Sequence, residues 1–424
     1  MMALLLFLSF LILMFLGVPI AFSLGLSSLL YLIIVDVPLT IIPQRMFSGI
    51  NSFVLLCIPG FILAGNLMNA GGITERIIKF ANDIVGHIRG GLGLANIGSS
   101  MGFAGISGTA LADTASIGSV MIPAMKKQGY DAPYAAAVTS SSSTIGPIIP
   151  PSLPLIIVGT LASVSIGDLF LAGAIPGVLL GLGLMAMAYF LSVKRGYPKQ
   201  DRKPIGEITK SFFGAFWALL MTVIILYGIL GGYFTPTEAS IVAVLYALVI
   251  GLFVYKDLKI KQVPKIILDS MISTASILIL VGFANLFGYI LVSEQIPILV
   301  ADTILGITEN PILVILLIIL LLLFVGTFME TIAALVILFP VLLPVAAQVG
   351  MDPVHFGIVM VLALIIGLTT PPVGVCLFVA SSIGKVSIWD TTKALVPFLF
   401  VSLVVLLLVA FIPEITLFLP SLFD

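Results

Sequence analysis

The chain is predicted to be an all-α polytopic membrane protein made of two inverted structural repeats, with two re-entrant hairpins and broken helices. Three observations carry that prediction. The 424 residues are 60% hydrophobic and 9% charged, with a mean hydropathy of +1.30, whereas soluble chains are about 25% charged. Pro123, Gly129, Asp131, Gly146, Pro150, Pro151 and Pro176 recur without a gap, 221 residues later, as Pro344, Gly350, Asp352, Gly367, Pro371, Pro372 and Pro397. The basic residues, finally, are confined to a few segments between apolar runs.

Apolar runs long enough for a bilayer's hydrocarbon core are drawn at 3–17, 18–35, 52–70, 133–162, 169–192, 212–231, 238–255, 266–292, 354–383 and 395–418. The N-terminal MMALLLFLSFLILMFL lacks the basic region and small-residue cleavage site of a signal peptide, so it is read as the first span. Gly17-Val18-Pro19 is read as a turn between two short spans. Segments 93–125 and 311–345 are read as re-entrant hairpins. The segment after Gly71-Gly72, with Ile73, Ile77, Ile78 and Phe80 opposite Glu75, Arg76 and Lys79, is an amphipathic helix at the membrane surface. Cys57 and Cys376 lie within apolar runs and are read as packing residues.

Placing the basic 193–211 connection in the cytoplasm puts seventeen of the eighteen Lys and Arg residues on that side, as the positive-inside rule requires. Only Arg45 is left outside. The chain then divides into a first repeat (1–192), the cytoplasmic connection (193–211) and a second repeat (212–424) of opposite orientation. Such inverted repeats are a recurrent design of secondary transporters, with the binding site at paired interrupted segments. Hairpin 93–125 opens toward the cytoplasm and hairpin 311–345 toward the periplasm.

Each hairpin tip is polar and faces a broken span: GFAGISGTALADTASIGSVMIP (102–123) faces Ser140–Pro147, and GTFMETIAALVILFP (326–340) faces Gly367–Pro372. Proline forces the helix to unwind, and unwound backbone at membrane depth persists only in protein or beside a wet cavity. Freed carbonyls with Ser and Thr hydroxyls suit a hard cation such as Na⁺, while helix N-termini suit an anion. Asp113 and Glu330 are intramembrane carboxylates, costly unless functional. Asp168, Glu238, Glu294 and Asp302 are placed at solvated span ends.

Enzymatic readings fare poorly. Gly105-Ile106-Ser107-Gly108 fits the GxSG pattern of a rhomboid-like intramembrane protease, but the two histidines, His87 and His355, fall outside the tip, where a serine would need its base. There is no zinc or ATP-binding motif, and no cofactor is implied.

Taken together, Gln44-Arg45-Met46-Phe47-Ser48-Gly49, Ile58-Pro59-Gly60-Phe61-Ile62-Leu63-Ala64-Gly65, Gly71-Gly72-Ile73, Ser107-Gly108-Thr109-Ala110, Ile149-Pro150-Pro151-Ser152 and Pro176-Gly177 resemble the large membrane (M) subunit of tripartite ATP-independent periplasmic (TRAP) transporters, over nearly the whole chain. The resemblance implies an elevator fold of the ion-transporter superfamily in the bacterial inner membrane, Na⁺ as coupling ion, and an organic acid cargo, sialic acid before C4-dicarboxylates. It also implies a small Q membrane subunit, expected as a separate chain, and a periplasmic substrate-binding protein. Nucleic acid is not an expected partner; membrane lipid is. Thr109 stands where a serine is expected and Glu330 where aspartate is common, which leaves the cargo open. A stand-alone carboxylate carrier of the same superfamily is the alternative.

On this reading Ser107, Thr109, Ser152 and Glu330 line the substrate. One Na⁺ sits among Ser107, Gly108, Ser143 and Gly146, and another among Gly326, Met329, Gly367, Thr369 and Thr370. Arg45, in a loop formed by residues 43–47, is assigned to a docking or Q-facing surface.

Overall fold

The structure, a computed structural model, describes residues 2–308 and 310–423; the side chains of residues 2–4, 107, 304, 305 and 307 also lie outside the described residues. Among the described residues every element is helical, and six helices are long and apolar enough to cross a membrane.

α1 (Met2–Phe15) and α2 (Ile20–Ile34) pack on each other. The turn between them is real: Gly17 takes a left-handed φ of 84° and Pro19 precedes the first turn of α2. Residues 43–47 are not a loop. They belong to α3 (Ile41–Ile50), which meets the next helical stretch, Val54–Ala70, at a 68° bend. That stretch is a tight turn (Val54–Leu56) followed by α4 (Cys57–Ala70). Gly49 and Asn51, both poor helix formers, stand at the bend. α5 (Ile73–Val85) is the anticipated amphipathic helix, with Ile73, Ile77 and Ile78 buried and Glu75 and Lys79 exposed.

α6 (Gly91–Ser107) and α7 (Ala110–Lys127) form the first hairpin, turning at Gly108 with φ 59°. α8 (Ala132–Ser142) runs into an unwound segment that ends at α9 (Leu153–Ala162), and α10 (Ile166–Arg195) closes the first repeat. In the second half come α11 (Ile205–Leu230), α12 (Pro236–Val249, with a wider turn to Tyr255) and α13 (Val263–Ser293). α13 continues unbroken where α3 and α4 bend. α14 (Ile296–Ile307), which the hydropathy reading leaves as a connection, packs on the second hairpin. That hairpin is α15 (Pro311–Gly326) with α16 (Thr331–Gln348); α17 (Pro353–Gly367), α18 (Val375–Gly384), α19 (Ile388–Phe411) and two short C-terminal turns follow.

The repeat is visible in the backbone. α7 and α16 begin and end 221 residues apart, Gly129 and Gly350 share a left-handed φ (87° and 80°), and Pro150–Pro151 and Pro371–Pro372 are both cis. Beyond the Pro-Pro pairs the register slips by one residue. The N-caps Ser152 and Gly374, the left-handed Ser163 and Lys385, and the N-caps Ser165 and Ser387 are all 222 apart. The gapless alignment therefore holds only through Pro372, Val373 is the extra residue, and Pro176 and Pro397 are one position out of structural register. The halves interlock: α9 packs on α16 and α17, and α18 on α7 and α8. Each broken span is thus held by the other repeat's hairpin.

Candidate functional site at the hairpin tips

At the second tip, backbone meets backbone. A Cβ on Gly367 would lie 2.5 Å from Gly326 main-chain atoms, and one on Gly326 would lie 2.6 Å from the Leu364 carbonyl. Only glycine permits this approach. The N–H of Gly374 donates to the Thr327 carbonyl (3.0 Å), joining the far side of the break to the same tip. Thr369 and Thr370 both donate their hydroxyls to the Ile366 carbonyl, at 2.8 and 2.9 Å. Their oxygen lone pairs stay uncommitted. Met329 is buried beneath the tip. The structure thus brings Gly326, Met329, Gly367, Thr369 and Thr370 to one place.

The first tip is similar. Gly108 lies against Pro151 and Leu153 of its own break. Ser143 is buried and donates to the Thr139 carbonyl at 2.7 Å, and the Gly146 N–H points to the Ser143 carbonyl at 3.4 Å. The backbone of Ser107 ends α6; its side chain is outside the described residues.

Thr109 and Glu330 occupy equivalent N-cap positions. Thr109 Oγ1 accepts from the Ala112 N–H at 3.4 Å; Glu330 Oε2 accepts from Ile332 and Ala333 N–H groups at 2.9 and 3.2 Å. An acidic cap suits the positive end of the helix dipole. Glu330 is exposed at the tip, so its second carboxylate oxygen is open to a ligand. Ser152 is different. Fully buried, its hydroxyl donates to the Pro147 carbonyl and accepts from the Leu155 N–H, so its hydrogen bonds shape the break.

Between the tips lies a polar seam that the sequence signals through Asp113 and the serine run. Asp113 is fully buried, with neither carboxylate oxygen hydrogen-bonded, and the Ser100 and Ser143 hydroxyls lie beside it. Ser100 donates to Ser142 (3.0 Å), and Asn96 donates to Thr139 (2.7 Å). The Ser140 and Ser141 hydroxyls are also unpartnered. Cys376, on α18, lies beside Thr114 of α7, linking the two repeats. Asn96 and Ser100 are legible in the sequence only as polar positions in a mostly apolar α6.

Among the remaining expectations, the packing role of the cysteines holds, while Glu294 and Arg45 depart from theirs. Both cysteines are buried and free. Glu294, placed at a solvated span end, is the hydrogen-bond acceptor of the buried Tyr31 hydroxyl. His355 contacts Thr416 (2.8 Å) and the Ala410 carbonyl (3.3 Å), far along the chain from the GxSG serine. Arg45 stacks over the Tyr289 ring at 3.9 Å and lines a cavity, so the outward loop assigned to it is replaced by a helix facing α13.

The sequence pattern of the tripartite ATP-independent periplasmic transporter, DctM component, matches residues 7–415. The chain belongs to the DctM family. A sialic acid TRAP transporter large permease of Vibrio cholerae is 46% identical over 415 residues, 97% of this chain and 96% of that protein. A C4-dicarboxylate TRAP transporter large permease of Pseudomonas aeruginosa is 40% identical over 89% of this chain and 88% of that protein. An isethionate TRAP transporter permease of Oleidesulfovibrio alaskensis is 42% identical over 95% of this chain and 64% of that protein. Among solved structures, the Alcanivorax borkumensis YdaH transporter superposes with a TM-score of 0.61 at 15% identity, covering 88% of this chain and 87% of that one, a likeness of fold. This DctM-family chain is a multi-pass large permease of a TRAP transporter in the bacterial inner membrane.

Proposed function

We propose that this permease imports an organic acid anion coupled to Na⁺, working with a small Q subunit and a periplasmic binding protein that delivers the cargo. The observation that carries the proposal is the seating of each hairpin tip on a broken span, with oxygen lone pairs left over at both places. Carbonyls and hydroxyls in that arrangement suit Na⁺. One ion rests among Gly326, Met329, Gly367, Thr369 and Thr370, the other among Ser107, Gly108, Ser143 and Gly146. Asp113, a buried carboxylate without a hydrogen-bond partner, supplies negative charge beside the second of these.

Thr109 and Glu330 contact the cargo from opposite tips. Glu330 accepts from its hydroxyl groups and Thr109 donates to its carboxylate, while Ser152 positions the first break. The interlocked hairpins and broken spans move as one body in an elevator motion against the outer helices. Each net positive charge carried inward gains about 2.3 kcal/mol per 100 mV, so two Na⁺ per monoanion suffice for accumulation. Sialic acid is the favoured cargo, in line with the 46% identity to the Vibrio cholerae protein; C4-dicarboxylates come next.

The test is uptake into proteoliposomes holding this chain and its Q subunit, with the cognate binding protein outside. Sialic acid and succinate should be compared with and without an inward Na⁺ gradient. Na⁺-dependent uptake that requires the binding protein is expected. Uptake by this chain alone would refute the tripartite reading.

A further inference from the structure

Two cavities border the hairpin helices α7 and α16, and the repeat relates them. One, of about 180 Å³, is walled by α4 (Asn66, Asn69), α7 (Thr109, Ser116) and the early part of α13 (Ser273). The other, of about 480 Å³, is walled by α3 and its bend (Arg45, Ser52), α16 (Val336, Pro340) and the later part of α13 (Asn285). Ser273 and Ser52 are 221 residues apart, as are the bounds of α16 and α7. α7 runs from its tip to Lys126 and Lys127, so the smaller cavity lies toward the basic, cytoplasmic end; α16 runs the other way.

The equivalence fails at one chemically decisive position. The repeat partner of Arg45 is Ile266, so only the outer cavity carries a cation. Among the described residues no carboxylate lies within ion-pairing distance of Arg45, and the lining residues of its cavity include no acid. The guanidinium rests on the face of Tyr289, which holds its plane while leaving edge N–H groups for a ligand. Gly49 lets α3 approach Asn285 closely, since a Cβ there would lie 2.5 Å from Asn285 Cβ. Ser48, Ser52 and Asn285 line the same cavity as further donors. A single cation in a cleft with apolar walls concentrates anions, and the volume suits a small organic acid.

We propose that Arg45 is the receiving group of an outer antechamber, which binds the carboxylate of the incoming anion before the tips capture it. The inner cavity offers only neutral amides and hydroxyls, so the anion is attracted on entry and not retained on exit. This rests on the import reading above, and it also explains why one basic residue departs from the positive-inside distribution.

The experiment uses the assembled transporter with Cys57 and Cys376 replaced and one new thiol, Ser52→Cys, exposed to an anionic (sulfonatoethyl) or cationic (trimethylammonioethyl) methanethiosulfonate. The anionic reagent should react preferentially, and Arg45→Gln should lower the anionic-to-cationic rate ratio about tenfold. Arg45→Lys should retain most of the ratio, and Ser273→Cys in the inner cavity should not respond to Arg45→Gln. In binding-protein-dependent uptake, Arg45→Gln should raise KM about tenfold with the maximal rate kept. An unchanged labelling ratio, or a lowered ratio with an unchanged KM, would overturn the proposal. If the unmutated complex imports neither sialic acid nor succinate, the import reading fails, and the labelling ratio still decides whether Arg45 draws anions. Should Arg45→Gln not assemble, Arg45→Lys combined with Tyr289→Leu, which removes the supporting ring, must lower the ratio; no change there also refutes the role.

Discussion

Gly367→Ala probes the contact on which the proposed cation site depends. The new Cβ would lie 2.5 Å from the Cα and carbonyl carbon of Gly326 and 3.0 Å from its oxygen. These are main-chain atoms that cannot rotate away. Restoring an ordinary contact of 3.4 Å requires the tip and the break to separate by about 0.9 Å. Overpacking of this kind costs about 1–3 kcal/mol. If the cost falls on the cation-loaded state, Na⁺ affinity drops by about 5- to 150-fold. The assay is the Na⁺ dependence of uptake in proteoliposomes, with Na⁺-dependent thermal stabilisation in detergent as a second readout. Gly214→Ala is the control, because a Cβ there meets nothing within 4 Å and alanine favours the helix by about 0.5–1 kcal/mol. Wild-type Na⁺ half-saturation in Gly367→Ala would refute the proposed site.

Three further outcomes are expected. Asp113→Asn replaces the buried carboxyl by an amide of nearly the same volume, and should weaken Na⁺ affinity at least as much as Gly367→Ala; a Na⁺ titration of thermal stability checks this, and an unchanged titration argues against a cation beside Asp113. Arg76→Ala breaks the 2.7 Å ion pair with Asp257 and the stacking on Tyr255; because both partners are partly exposed the loss should be only about 0.5–1 kcal/mol, read as a small shift in unfolding with Na⁺ affinity intact. In the connection between the repeats, Tyr197 donates to Asp131 at 2.6 Å, and burial, then that hydrogen bond, push its phenol up to about 12 from 10. The folded state therefore holds this proton more tightly than the unfolded chain, so its stabilising contribution is complete below pH 10 and lost as pH rises from about 10 to about 12; Tyr197→Phe should flatten that part of the stability curve.

Strong periodic signals were legible in the sequence. The hairpins, the breaks at Gly146–Pro151 and Gly367–Pro372, the Gly17 turn and the α5 amphipath all rest on Gly, Pro or charge, which act locally on the backbone. What escaped depends on tertiary contact. The helical state of Ile41–Ile50 is supported by packing on α13, and a segment of mixed polarity before a bend reads equally well as a loop. α14 is apolar but short, and its docking on α16 cannot be read from hydropathy. The one-residue slip at Val373 is masked because Pro176 and Pro397 happen to retain the 221 spacing. Charge counting singles out Arg45 as the exception, and the direction of its side chain depends on Gly49 allowing α3 to approach Asn285.

The paired tips open to opposite faces in this mechanism, and two-sided thiol labelling tests that directly. Ala112, on the wall of the inner cavity, and Val336, on the wall of the outer one, are each replaced by cysteine in the cysteine-free background and exposed to a membrane-impermeant reagent from either side. Ala112→Cys should react only from the cytoplasmic face and Val336→Cys only from the periplasmic face, and conditions that raise one rate should lower the other. Reaction of both from the same face would contradict the inverted repeat and the alternating access built on it.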